Sequence, residues 1–376
     1  MMRYIIAIDS FKGCLTSTDA ALAVAEGIRK VQPSAEILQI PVSDGGEGML
    51  TAFLSAFHGK RVTILVHDPL MRPISASYGI SMDGETAIIE MAEASGLQLL
   101  SQEEQNPLLT TTFGTGELIL DALKRHCRHF IIGLGGSATT DGGVGMLQAL
   151  GMKCYDEHGV LLGVGGGMLS HIASIDTSAL HPLLRECRFT LASDVTNPLC
   201  GIHGAAYVFG PQKGATPTMV QQLDAGLQHW ASISGHEREA LLPGAGAAGG
   251  LGFSFLAFLQ AKMTSGIELL LEYLAFYRLL DQADLVITGE GSADCQTLMG
   301  KLPSGILRHA QKTNVPVWLL AGKIEHRDEL LRAGFSRVEC INPSGMPLIE
   351  AMKPEIAKKN LSETIKRLFA TFFNEK

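Results

Sequence analysis

Several signatures are missing from this chain of 376 residues, and each absence removes a class of function. Its seven cysteines, at 14, 127, 154, 187, 200, 295 and 340, include no C-x-x-C pair. The odd count and scattered spacing argue against a disulfide frame or a zinc site, so reduced, mostly buried thiols in a cytoplasmic protein are expected. No apolar run reaches the ~20 residues of a membrane-spanning helix. The N-terminus enters a strand within a few residues, so no signal peptide is expected. The net charge is -8 with no long basic stripe, which disfavours nucleic acid as a partner. Local lysines and arginines still allow an acidic substrate. Nothing fits G-x-x-x-x-G-K-[ST], G-x-S-x-G, H-E-x-x-H or G-x-G-x-x-G. His326-Arg327-Asp328 echoes a protein-kinase triplet, but Ala333 stands where that motif needs asparagine, so the match is a coincidence. The 12 histidines are scattered and point to no metal.

What the chain does have is glycine, 42 residues of it, against a usual share of ~7%. The glycines cluster in polar patches that follow short apolar runs. Tyr4–Ile8 reads as a buried strand, and Thr16 caps a helix that Pro33 stops. Ile37–Val42 is the next strand, completing a βαβ unit of a parallel sheet. Val62–Val66, Ser75–Ile80 and Thr86–Met91 then read as an antiparallel meander, with Asp83-Gly84 as a hairpin turn. Phe130–Leu134, Phe189–Ala192, Leu285–Thr288, Val317–Ala321 and Val338–Ile341 are further strands, and Pro217–Ser234 and Asn360–Phe373 are amphipathic helices. The two ends of the chain are alike in style. The expected architecture is α/β with two domains: a doubly wound parallel sheet built from residues 1–65 and 275–376, and a mixed α/β domain inserted at 66–274. Residues 115–150 suit either domain.

The polar patches sit where strands end, the edge at which open α/β sheets bind ligands. Asp9, Ser10 and Lys12 follow the first strand: lysine suits a carboxylate or phosphate, serine a hydrogen bond, aspartate a metal or the lysine. An ordinary polar strand-to-helix turn explains them equally well. Asp44, Gly45, Gly46 and Glu47 put two acids around a glycine pair, suited to Mg²⁺ or to deprotonating a hydroxyl, against the plainer reading of a turn before an acidic helix start. Gly135, Gly136, Ser137 and Thr139 lead to Asp141 and a helix starting near Val144, so amides and hydroxyls converge on an anion. Asp141 is then a metal ligand or, slightly favoured, a helix cap. Asp194 and Asn197 follow another strand, and Lys213 lies in a Gly-Pro loop, where a solvated lysine is the plain alternative. Gly249 and Gly250, in the Gly/Ala run 244–252, serve close packing or a backbone cradle for a nucleotide. Gly289, Glu290, Asp294 and Lys301 combine acids, glycine and lysine as a metal–phosphate pair would require.

Together these segments resemble the bacterial glycerate kinase family of glyoxylate and glucarate breakdown. The matching pieces are Asp9–Lys12, Asp44–Gly48, Thr110–Glu117, Ile132–Thr139, Asp194–Pro198, Phe209–Ala215, Pro243–Gly250 and Thr288–Gly291, in family order from near residue 4 to about residue 325. The resemblance implies a flavodoxin-like domain joined to a second α/β domain with the site between them. It also implies phosphorylation of D-glycerate by ATP with Mg²⁺, giving 2-phosphoglycerate. On that reading Asp44 or Asp194 takes the hydroxyl proton and Lys12, Lys213 and Lys301 offset negative charge. Glu47, Glu290 and Asp294 are the metal candidates. The partner is a small organic acid, and a homo-oligomer is left open. The rival readings are a 2-hydroxy-acid dehydrogenase, which lacks its dinucleotide fingerprint, and a non-catalytic organic-acid sensor, which has no need of so many phosphate-suited loops. Three positions depart from the family pattern: Ile8 for a common proline, Thr140 for asparagine, and Ser292-Ala293 for an arginine and an apolar residue. Serine cannot replace a guanidinium as a bidentate phosphate partner.

Overall fold

The structure is a computed structural model that describes residues 2–11, 13–40, 42, 49–56 and 58–374. The chain divides into two compact units, Met1–Asp44 with Ile267–Lys376, and Gly45–Gly266.

The first unit opens with β1 (Arg3–Ile8) and β2 (Glu36–Gln39). The second contains β3 (Lys60–His67), β4 (Pro73–Ile80), β5 (Thr86–Glu90), β6 (His129–Gly133), β7 (Lys153–Tyr155), β8 (Ser174–Asp176), β9 (Arg188–Ala192) and β10 (Lys262–Thr264). The chain then returns to the first unit with β11 (Leu285–Ala293), β12 (Val317–Ile324) and β13 (Arg337–Cys340).

In the first unit all five strands are parallel, in the order β13-β12-β11-β1-β2. Read along the unit, this is the 2-1-3-4-5 order of flavodoxin-like folds. β1 lies inside the sheet, between β11 and β2, and its apolar run is buried throughout from Tyr4 to Ile8. One face packs on the helices Ser17–Val31 and Pro354–Asn374 through Val24, Ile28, Leu361 and Ile365. The Phe369 ring closes that layer edge-on to Tyr4 and Trp318, at 5.1 and 5.4 Å. Thr16 caps the first helix, its Oγ1 accepting from the Asp19 amide at 3.1 Å.

The second unit is built on a six-stranded sheet, β10-β9-β6-β5-β4-β3. The meander β3-β4-β5 is antiparallel; β5, β6, β9 and β10 run parallel. The small antiparallel pair β7-β8 stands apart from it. The helix Pro217–Ile233 buries the apolar stripe that its spacing predicts: Val220, Leu223, Leu227 and Trp230.

The mixed α/β architecture is as expected, but the boundaries shift. The expected boundary at 65 cuts through the strand expected at 62–66. It belongs wholly to the second unit, because all eight residues of β3 pair with β4. Residues 115–150 also fall in the second unit, where β6 lies between β5 and β9. The closing helix starts at Pro354, six residues before the expected Asn360.

Candidate active site

In the first unit, the ends of β1, β11, β12 and β13 open onto a pocket of about 390 Å³. This is the carboxyl edge of a parallel sheet, where the peptide ends and loops are free to face a ligand. The pocket brings together Asp9, Ser10, Glu290 and Lys301, four of the expected site residues. Gly289 lies just beneath: its carbonyl accepts from the Asp9 amide at 2.9 Å, and a Cβ there would stand 2.3 Å from the Leu320 carbonyl oxygen. A side chain would therefore force β11 and β12 apart.

Glu290 is buried, and burial pushes its carboxyl above the usual range. Thr297 donates to its Oε1 at 2.6 Å, and Lys301 Nζ lies 3.5 Å from Oε2; both favour the charged form and oppose the shift. A bound cation would lower it further. Asp294 has another duty: it caps the 3-10 turn Cys295–Leu298, its Oδ1 accepting from the Gln296 amide at 2.8 Å.

In the second unit, Gly135, Gly136 and Ser137 follow β6, while Asp194 and Asn197 follow its neighbour β9. Gly133 and Ala192 pair across these strands, so both segments leave from one sheet edge. Gly135, Gly136 and Asp194 are exposed there. Gly136 has φ +73°, a left-handed turn that costs glycine little. The Asn197 side chain holds its own loop, donating to the His203 carbonyl at 2.8 Å.

Asp141 and Lys213 lie inside the protein. Asp141 is fully buried and its two oxygens take five donors. These are the Thr112 amide at 2.7 Å, the Thr112 and Thr111 hydroxyls at 2.8 and 3.2 Å, and the Gly143 and Gly145 amides at 3.1 and 3.3 Å. The amides of Gly143 and Gly145, at the helix start, therefore point at the protein's own carboxyl, which is how Asp141 caps the segment. Lys213 is 2% exposed rather than solvated. Its Nζ donates to Ser137 Oγ at 2.8 Å and to the Thr139 carbonyl at 2.6 Å, so it shapes the turn from within. Gly249 and Gly250, with Ala248 before them, all have positive φ. A Cβ on Gly249 would stand 1.9 Å from the Thr139 carbonyl oxygen, so this run serves close packing against the 139–142 segment. The Thr139 and Thr140 hydroxyls are buried without a partner among the described residues.

Burial pushes the Lys213 amine down to about 7, against a pull upward from Asp141. The folded value lies below the unfolded value near 10.5, so between pH 7 and 10.5 the unfolded chain binds a proton that the folded one does not. Stability from this group therefore rises with pH across that window and is lost as the pH falls through about 7. We expect urea midpoints of Lys213→Met to rise less steeply from pH 7 to 10 than those of the wild type. Parallel slopes would assign the pH dependence to other groups.

Lys12, Asp44, Gly45, Gly46 and Glu47 lie outside the described residues. Sequence reasoning missed Lys323 and Asn342, which line the first unit's pocket just past β12's expected end and directly after Val338–Ile341. The strand-end rule applied to those two strands would have found them. It also missed that Thr111 and Thr112, some thirty residues upstream, hold Asp141.

Comparison with known proteins places the chain in a family. The sequence matches the glycerate kinase family over residues 4–373. It is 48% identical to a glycerate kinase of Haemophilus influenzae, covering 85% of this chain and 86% of that protein. It is 46% identical to glycerate 2-kinase of Escherichia coli K12, with 86% of each covered. A crystal structure described as a glycerate kinase 2 from Salmonella typhimurium LT2 superimposes with a TM-score of 0.87 at 42% identity, covering 100% of this chain and 99% of that one. Matched by the family model over nearly its whole length, the chain belongs to the glycerate kinase family.

Proposed function

We propose that this protein is a glycerate kinase that transfers the γ-phosphoryl group of ATP to a hydroxyl of D-glycerate, giving 2-phospho-D-glycerate. The observation that carries this reading is the near 50% identity to glycerate kinases across most of the chain. The pocket of the first unit suits the nucleotide. Phe11, Ile341, Leu348 and Met352 give it apolar wall, while Lys301 and Lys323 give it positive charge. The exposed turn Gly135–Ser137, braced by Lys213, offers backbone and hydroxyl donors to the anionic groups of the substrates. Asp194 or Asp44 accepts the proton of the attacking hydroxyl. Among the described residues no helix is long and apolar enough to cross a membrane.

Mg²⁺ fits the donor set. Glu290 is a buried carboxylate on the pocket wall whose charged form is under-compensated. It would hold the ion together with phosphate oxygens, whereas Asp294 is committed to its cap. The ion when bound neutralises charge on the transferring phosphoryl group. Lys12 and Lys301 supply further positive charge on this reading.

The test is ADP release on mixing the protein with ATP, Mg²⁺ and D-glycerate, followed by phosphorus NMR of the product. The expected result is glycerate-dependent ADP and a 2-phosphate signal. Glycerate-independent hydrolysis, or no turnover, would refute the reading, and a 3-phosphate signal would reassign the hydroxyl. Glu290→Gln should raise the Mg²⁺ concentration for half-maximal rate about tenfold, as expected when one carboxylate ligand goes. An unchanged Mg²⁺ dependence would remove Glu290 as a ligand.

A further inference from the structure

Beyond the nucleotide pocket, three side chains of the first unit that the proposed chemistry does not use come together. Cys295, His326 and Glu329 place a sulfur, an imidazole nitrogen and a carboxylate oxygen within 4.8 Å of one another. Cys295 Sγ lies 3.2 Å from Glu329 Oε2, and His326 Nδ1 lies 3.6 Å from Glu329 Oε1. A tetrahedral Zn²⁺ site, with metal–sulfur bonds of about 2.3 Å and metal–nitrogen or –oxygen bonds of about 2.0 Å, needs such pairs at roughly 3.3–3.5 Å. Cys295 and His326 each approach a different oxygen of Glu329 at close to such a separation, and with one ligand atom from each residue the three lie within 4.8 Å.

The framework beneath is fixed. Cys295 follows the end of β11, and His326 and Glu329 follow the end of β12. These strands pair to their last residues, Ala293 with Ile324, and the Glu325 amide donates to the Ala293 carbonyl at 2.8 Å. His326 holds φ +52°, left-handed for a residue with a Cβ. Such strain gathers where a side chain must be aimed. Glu329 lies one helical turn past His326, in the helix Arg327–Ala333. Asp294 and Glu325 add negative charge around the group. Histidine, thiol and carboxylate together suit a borderline ion rather than Mg²⁺ or Ca²⁺, which take oxygen.

We propose that Cys295, His326 and Glu329 form a three-ligand site for a borderline divalent cation of the Zn²⁺ class, with water in the fourth position. On binding, the thiol of Cys295 gives its proton to solvent and its sulfur bonds the metal; His326 binds as the neutral imidazole. Cys295 opens the 3-10 turn whose Thr297 donates to Glu290, so the ion also braces the turn beside the nucleotide pocket. The site stands on its own geometry and does not depend on the kinase reading.

Co²⁺ titration of the full-length protein tests it, since a thiolate bound to Co²⁺ absorbs in the near ultraviolet. The expected result is that band, saturating at one equivalent and displaced by Zn²⁺. Cys295→Ser should abolish it. His326→Ala and Glu329→Gln, both at exposed positions, should weaken Co²⁺ binding at least about tenfold, the scale at which even outer-shell groups act. Circular dichroism of each variant checks that the fold persists. Absence of the band in the wild type, or its survival in folded Cys295→Ser through another of the seven cysteines, would overturn the proposal.

Discussion

Asp194→Asn is expected to lower kcat by about 10²–10⁴-fold, the usual contribution of a general base, while leaving KM for ATP close to the wild-type value. The amide keeps the shape and the hydrogen-bonding capacity of the side chain but cannot take a proton from the glycerate hydroxyl. Asp194 is exposed just past the end of β9, on the same sheet edge as the Gly135–Ser137 turn, where a substrate hydroxyl can reach it. Asp44→Asn is the companion measurement, because either acid suits the role. One of the two should show the large kcat loss with little change in nucleotide affinity. If both turn over at near-normal rates, neither is the base. If the loss lies in KM for ATP instead, the residue binds nucleotide.

A comparably large effect, on stability rather than rate, is expected from Asp141→Ala. The change would strand five donors at once: the amides of Thr112, Gly143 and Gly145, and the hydroxyls of Thr111 and Thr112. Thr112 Oγ1 also accepts from the Met146 amide at 2.9 Å, so a shift there propagates into the helix Val144–Ala149. Leaving buried donors unpaired costs about 1–3 kcal/mol each before relaxation, and water entering the gap recovers part of it. The net loss should be about 3–5 kcal/mol, the scale seen when a buried, hydrogen-bonded charge network is broken. Urea unfolding would read this as a lower midpoint for the second unit. A loss below about 1 kcal/mol would show that Asp141 is not the bolt that its contacts describe. Asp141→Asn separates charge from shape: its NH₂ group would face donors, so it should rescue only part of the loss.

Asp141 also marks where the sequence stops being legible. An acid in a glycine-rich turn before a helix reads alike whether it binds metal, caps the helix or receives outside donors. The choice was made by Thr111 and Thr112, which no local window includes. Lys213 teaches the same lesson: a lysine between Gly-Pro-Gln and Gly looks solvated until the fold buries it against Ser137 and Thr139. The strands were legible because their apolar runs are buried on both faces, as Tyr4–Ile8 and Phe130–Gly133 show. The four residues around the first unit's pocket followed from strands ending in acids, lysine and glycine, whereas the flavodoxin-like order was implied by the family resemblance. The domain boundary near residue 65 was misplaced because β3 alternates exposure like any edge strand, and only its pairing with β4 assigns it.

The place of β1 inside its sheet, between β2 and β11, has a consequence for biogenesis. On a ribosome this strand emerges long before its neighbour β11, which begins at Leu285, so the whole stretch between Ile8 and Leu285 must be synthesised before the pair can zip. The intervening stretch can meanwhile fold from contiguous chain. Newborn molecules can thus pair Tyr4–Ile8 only with β2, and its other edge stays open for most of translation. Truncated or stalled products should aggregate through it or engage chaperones that shield nascent hydrophobic segments.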